Sequence, residues 1–195
     1  MNFIKKYSYD IVKLYINQIA ISIFGNVLAI SCGMAGYDTL KLITSIFAVL
    51  FFFFLNYSAV WSIGYKQIAS IEAGRTPRRP LGGLYMALWA SLPNFLFALL
   101  VMLGTLLGNI KFFSTLGAVA AMVAIWTEGM FTGILSFIKI GGSPANSYWI
   151  SYFIITIPGL LAGFLGYYFG INNIHLSRIN IEETPEEAEK KRESK

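Results

Sequence analysis

Residues 81–110 run thirty positions without a charged side chain, and residues 14–37, 42–63 and 140–174 share that property. A fifth stretch, 112–138, carries a single charge, Glu128. A helix of roughly 20 apolar residues covers the hydrocarbon of a bilayer. No backbone group stays unpaired in lipid, so each run is expected to be helical. Soluble domains are about a quarter charged; here charged residues make up 13% of the chain and hydrophobic ones 56%. One core cannot hide that much apolar surface, so lipid must be the solvent for much of it. The expected fold class is all-α: a polytopic transmembrane helix bundle of about five spans over residues 1–174. A charged, flexible tail is expected over 175–195. Residues 140–147 read as a loop by their Gly, Ser, Pro and Asn content; a sixth or re-entrant segment around 141–146 is the alternative.

Charge sets the partners and the orientation. The net charge of +5 lies mainly in the gaps between apolar runs, which points to the lipid bilayer and to topology, not to nucleic acid. Lys5, Lys6 and Lys13 precede an apolar run too long for a cleaved signal, so it is expected to remain as the first span. With five spans, Lys5, Lys6, Lys13, Lys66, Arg75, Arg78, Arg79 and Lys139 share one side. Lys41, Lys111 and Arg178 share the other. The richer side is expected to be cytoplasmic, with the N-terminus inside and the C-terminus outside. The distal Lys190, Lys191 and Arg192 pull against that last assignment. One cysteine, Cys32, and one histidine, His175, leave no material for a disulfide within the chain or a metal cluster. No GK[ST] follows a glycine-rich stretch. No catalytic, metal or cofactor site is expected, and the chain does not read as an enzyme.

Glu128 is the most informative residue. A carboxylate deep in a span costs a few kcal/mol, roughly 3 on insertion scales, and such groups face a bundle interior or a water cavity. Gly117, Ala121, Ala124, Glu128 and Thr132 fall at helical steps on one small or polar stripe. Asn26 on the first span, with Ser22 on its face, and Asn94 after Pro93 on the third place amides at membrane depth. Proline removes a backbone donor and kinks the helix there. Glu128, Asn94, Asn26 and Thr132 are therefore the candidate substrate- or ion-binding residues. The competing use of each is hydrogen-bonded glue between helices. In the loop over 64–80, Arg75, Arg78 and Arg79 are candidate lipid-headgroup contacts, with topology as the competing role. Gly74 is expected to end a helical turn there. Glycines at four-residue spacing, Gly25 with Gly33 beyond Ala29, Gly159 with Gly163 and Gly166 with Gly170, are expected to pack helices within the chain.

Gly64, Glu72-Ala73-Gly74-Arg75, Gly82-Gly83-Leu84, Pro93-Asn94 and Gly166-Tyr167-Tyr168-Phe169-Gly170 resemble segments of an uncharacterised group of small multi-pass membrane proteins from Gram-positive, clostridia-like bacteria. The resemblance implies a bacterial plasma membrane and no particular activity. Size and basicity are also similar to the substrate-binding subunits of energy-coupling-factor transporters. Those have six helices and an alanine-spaced first helix, which Gly25, Ala29 and Gly33 only approximate. The functional expectation is small-solute transport or a membrane subunit of a transporter. The alternative is a non-transporting assembly or regulatory subunit docking on a membrane-protein partner or a second copy of itself.

Overall fold

The computed structural model describes residues 3–174. Helix α1 spans Phe3–Met34 and α2 spans Asp38–Glu72. The next apolar stretch folds as two helices, α3 (Gly82–Ala90) and α4 (Leu92–Leu106), bent by 53° at Ser91. Helix α5 (Lys111–Glu128) runs through a 3-10 turn, Gly129–Phe131, into α6 (Thr132–Phe137). A two-stranded hairpin, β1 (Lys139–Ile140) with β2 (Ser143–Pro144), leads to α7 (Trp149–Ile154) and α8 (Ile157–Ile171). The expected all-α bundle is present: four helices are long and apolar enough to cross a membrane, five if the bent α3–α4 pair counts as one.

Local chemistry explains the punctuation. Asp38 sits in the first turn of α2, where the helix dipole favours an acid. Ile68 and Ile71 carry that helix past the expected boundary at 63, so the loop begins only after Glu72. It ends as expected at Gly74, whose φ of +68° suits glycine. The Gly74 N–H bonds the Ile71 carbonyl and the Arg75 N–H bonds the Ser70 carbonyl, each at 3.0 Å, which is the paired closure of a left-handed helix cap. Pro93 and Pro158 occupy first turns of α4 and α8, where a missing N–H leaves nothing unbonded.

Glycine contacts fix the direction of every helix. Gly159 meets Phe52, Gly166 meets Tyr57 and Trp61, and Gly170 meets Trp61, Gly64 and Tyr65. Helix α8 therefore runs parallel to α2 and finishes at the end where α2 finishes. The start of α1 is there too, since Tyr7 clusters with Val60, Tyr167 and Ile171. So is the start of α3, since Gly82 and Gly83 lie against Tyr167 and Gly163. At this first end the Trp61 indole donates to the Ile174 carbonyl (2.9 Å), and the Arg78 guanidinium donates to Asn172.

The second end holds both extremities of the α5–α6 segment. Gly104 of α4 packs on Gly117 of α5. Both line a cavity with Asn146 and Ser147, which immediately precede α7. Gly133 of α6 packs on the Lys41 carbonyl and Ser45, near the start of α2. Helix α5 thus descends from the second end, the chain reverses at Gly129–Phe131, and α6 climbs back. Along the bundle α1, α2, α3–α4 and α7–α8 run from end to end, while α5–α6, one of the four by length and composition, descends and returns in a re-entrant path.

Two expectations are corrected by this arrangement. The chain at Ile174 lies at the same end as the start of α1, not opposite it. Lys139 belongs with Lys41 and Lys111 at the second end, so seven basic residues (Lys5, Lys6, Lys13, Lys66, Arg75, Arg78 and Arg79) face three across the bundle. The tail expected over 175–195, with His175, lies outside the described residues.

Glycine packing of α8 on α2 and α3 is the within-chain use that the spacing predicts. On α1 only Gly25 serves this purpose, lying against Met130, while a side chain at Gly33 would meet nothing within 4 Å. Large apolar side chains such as Phe47, Leu50, Phe54, Leu96, Met122 and Trp126 point outward, as a lipid-facing surface requires.

Candidate functional site

The reversal of α5–α6 is held from outside by a ladder on α1. Gln18, Ser22 and Asn26 are buried and spaced by four, so they share one helix face. The Gln18 amide and the Ser22 hydroxyl both donate to the Thr127 carbonyl, at 3.2 and 2.7 Å. The Asn26 amide donates to the Ile125 carbonyl at 2.7 Å. From α2 the Ser45 hydroxyl donates to the Met130 carbonyl and accepts the Ile134 N–H at 3.3 Å. A helix that stops in an apolar interior leaves carbonyls without helical donors; these side chains satisfy them. Gly129 lies flat against the Asn26 amide, a contact that a larger residue would prevent.

Glu128 stands at this reversal. Its φ of −130° departs from the helix, it is 4% exposed, and its Oε1 has no hydrogen-bond partner. Asn94 is 2% exposed and its Oδ1 is also unpartnered. Helices α4 and α5 run antiparallel through the Gly104–Gly117 contact. Ten residues back from Gly104 is Asn94 and ten on from Gly117 is Thr127, so Asn94 and Glu128 stand at one level of the bundle.

Thr132 and Asn26 fall elsewhere. They line a groove of about 440 Å³ at the second end, with Ala29, Gly33, Lys41 and Trp126 among its walls. The expected stripe from Gly117 to Thr132 is therefore broken: the 3-10 turn after Glu128 redirects Thr132 into the groove. Asn26 spends its amide on the Ile125 carbonyl, the interhelical-glue role. The four candidates thus fall in two places: Glu128 and Asn94 are buried inside the bundle, and Asn26 and Thr132 line the groove. Arg75, Arg78 and Arg79 are exposed at the first end, and Arg78 bonds Asn172.

Two smaller cavities lie elsewhere among the described residues. One of about 260 Å³ at the second end is lined by Thr105, Ser114, Asn146, Ser147 and Tyr152, between α4, α5 and the segment before α7. Another of about 20 Å³ lies at the α3–α4 bend, lined by Gln18, Asn56 and Ser91 among apolar and glycine neighbours. Sequence reasoning passed over Gln18 and Ser45; the spacing of Gln18 with Ser22 and Asn26 was the available signal. Comparison of the chain with protein-family models, with curated proteins and with solved structures gives no match.

Proposed function

We propose that the protein is a small-solute transport protein, or the membrane subunit of one, with Glu128 as its ionisable element. The observation that carries this reading is the Glu128 carboxyl, buried at the reversal of a re-entrant segment with one oxygen unpartnered. Interrupted helices near mid-bilayer are where transporters bind solutes and coupling ions, and intramembrane carboxyls mark such pathways. Asn94 at the same level supplies a second polar oxygen, and the groove holding Asn26 and Thr132 has the volume of a small-molecule pocket. The seven-to-three basic asymmetry supports a reading in which the first end, with the N-terminus and the 73–81 loop, faces the cytoplasm of a bacterial plasma membrane. In this reading Arg75, Arg78 and Arg79 meet anionic headgroups there.

The test is flux through proteoliposomes carrying an internal pH dye under an imposed membrane potential. The parent should acidify the lumen faster than Glu128→Gln, whose fold is checked by its melting temperature. Equal rates from two well-folded proteins refute the reading. The alternative, a non-transporting subunit, is favoured by the open and largely apolar character of the groove. A Gly33→Phe variant adds a ring at the groove wall, where an added Cβ meets nothing within 4 Å. Loss of a co-purifying membrane-protein partner in this variant, with unchanged flux in Glu128→Gln, would establish the alternative.

A further inference from the structure

We infer that the small cavity at the α3–α4 bend is a binding site for one monovalent cation of sodium size, held by Gln18, Asn56 and Ser91. These three side chains come from α1, α2 and the break between α3 and α4, and each is more than nine-tenths buried. The cavity measures about 20 Å³, enough for one water-sized occupant, which needs roughly 10–15 Å³ on this measure. What the walls offer is oxygen. The Gln18 amide nitrogen donates to the Thr127 carbonyl, and the same amide carries Oε1. The Asn56 Oδ1 is buried without a hydrogen-bond partner, and Ser91 adds a hydroxyl. The remaining walls are Leu14, Phe52, Ala87, Ala90, Gly159 and Gly163, which compete for no ligand. Neutral carbonyl and hydroxyl oxygens suit a hard ion, and a set without a carboxylate suits a single positive charge better than a double one. Interrupted helices hold sodium with such oxygens in membrane proteins. The Thr127 carbonyl that orients Gln18 immediately precedes Glu128 in the chain. The inference goes beyond the transport reading, because binding here is measured without flux.

The experiment is the melting temperature of the full-length, detergent-solubilised protein in sodium, potassium and choline chloride at one ionic strength. Sodium should raise it in a saturable way, potassium less, and choline not at all. Asn56→Leu should abolish the sodium dependence, and Ser91→Ala should move its midpoint to several-fold higher sodium. If Asn56→Leu does not fold, the Ser91→Ala midpoint carries the test. One melting temperature for the parent in all three salts would mean that water alone fills the cavity and would overturn the inference. So would a sodium response unchanged in both variants. A response lost in Glu128→Gln and kept in Asn56→Leu would overturn it as well, placing the ion on the carboxyl.

Discussion

Removing the Gln18 and Ser22 side-chain donors should cost more together than the sum of the separate losses. Both groups donate to the one Thr127 carbonyl. Gln18→Met and Ser22→Ala each remove a single donor and leave the carbonyl paired through the other. Interhelical hydrogen bonds of this kind average about 0.6 kcal/mol in a membrane protein, so each single change should cost about that. The double variant strips the carbonyl of every side-chain partner, and a buried orphaned acceptor costs about 1–3 kcal/mol beyond the lost bonds. The double-mutant cycle should therefore show a coupling of about 1–2 kcal/mol. Asn26→Ala removes the side-chain donor on the Ile125 carbonyl and should cost about as much as either single variant, less than the double one. Reversible unfolding in mixed micelles with increasing sodium dodecyl sulfate supplies the free energies. Strict additivity of Gln18→Met and Ser22→Ala would refute the claim that the α1 ladder holds the reversal.

Three further outcomes follow from the same contacts. Gly83→Ala would place a methyl 2.1 Å from the Gly163 carbonyl, so its melting temperature should fall by many degrees, while Gly33→Ala, with open space around it, should match the parent. Glu128→Gln keeps shape and most bonding capacity and should change stability by about 1 kcal/mol or less, whereas Glu128→Ala opens a cavity and should cost roughly 2 kcal/mol or more; equal losses in chemical denaturation would contradict the packing around the carboxyl. Gly129→Leu collides with the Asn26 amide and should destabilise the protein at least as much as Asn26→Ala in the same assay.

How much of this was legible depended on whether the cause was local. The apolar runs, the Pro93 break, the Gly74 helix end and the loop over 140–147 are all announced by the residues that cause them. At that loop Gly141 and Gly142 take φ of +58° and +86° to turn a two-residue hairpin. Glu128 was visible as a buried acid because charge is rare in the runs. Its position at a reversal was not visible. The segment around it contains no proline, and 27 helical residues from Lys111 to Phe137 are long enough to traverse a bilayer. The turn is dictated by donors about a hundred positions away on α1 and by Ser45 on α2, which no local pattern reveals. A straight helix over that segment would put Lys139 and Ile174 at the opposite ends of the bundle from those they occupy. The sharing of roles was equally hidden: Asn26 and Asn94 look alike in sequence, yet one is bonded to a carbonyl and the other has an unpartnered oxygen.

The central claim is the re-entrant path of α5–α6, since the placement of Glu128 at a reversal depends on it. Single cysteines introduced at Asn109, in the α4–α5 connection, and at Ser143, in the hairpin, are exposed and test it directly. In a background with Cys32 replaced by Ala, a membrane-impermeant maleimide added to intact cells or sealed vesicles should reach both from the same side. It should reach cysteines at Arg75 and Ile174 only from the opposite side. Labelling of Asn109→Cys and Ser143→Cys from opposite sides would contradict the account, because α5–α6 would then cross the membrane.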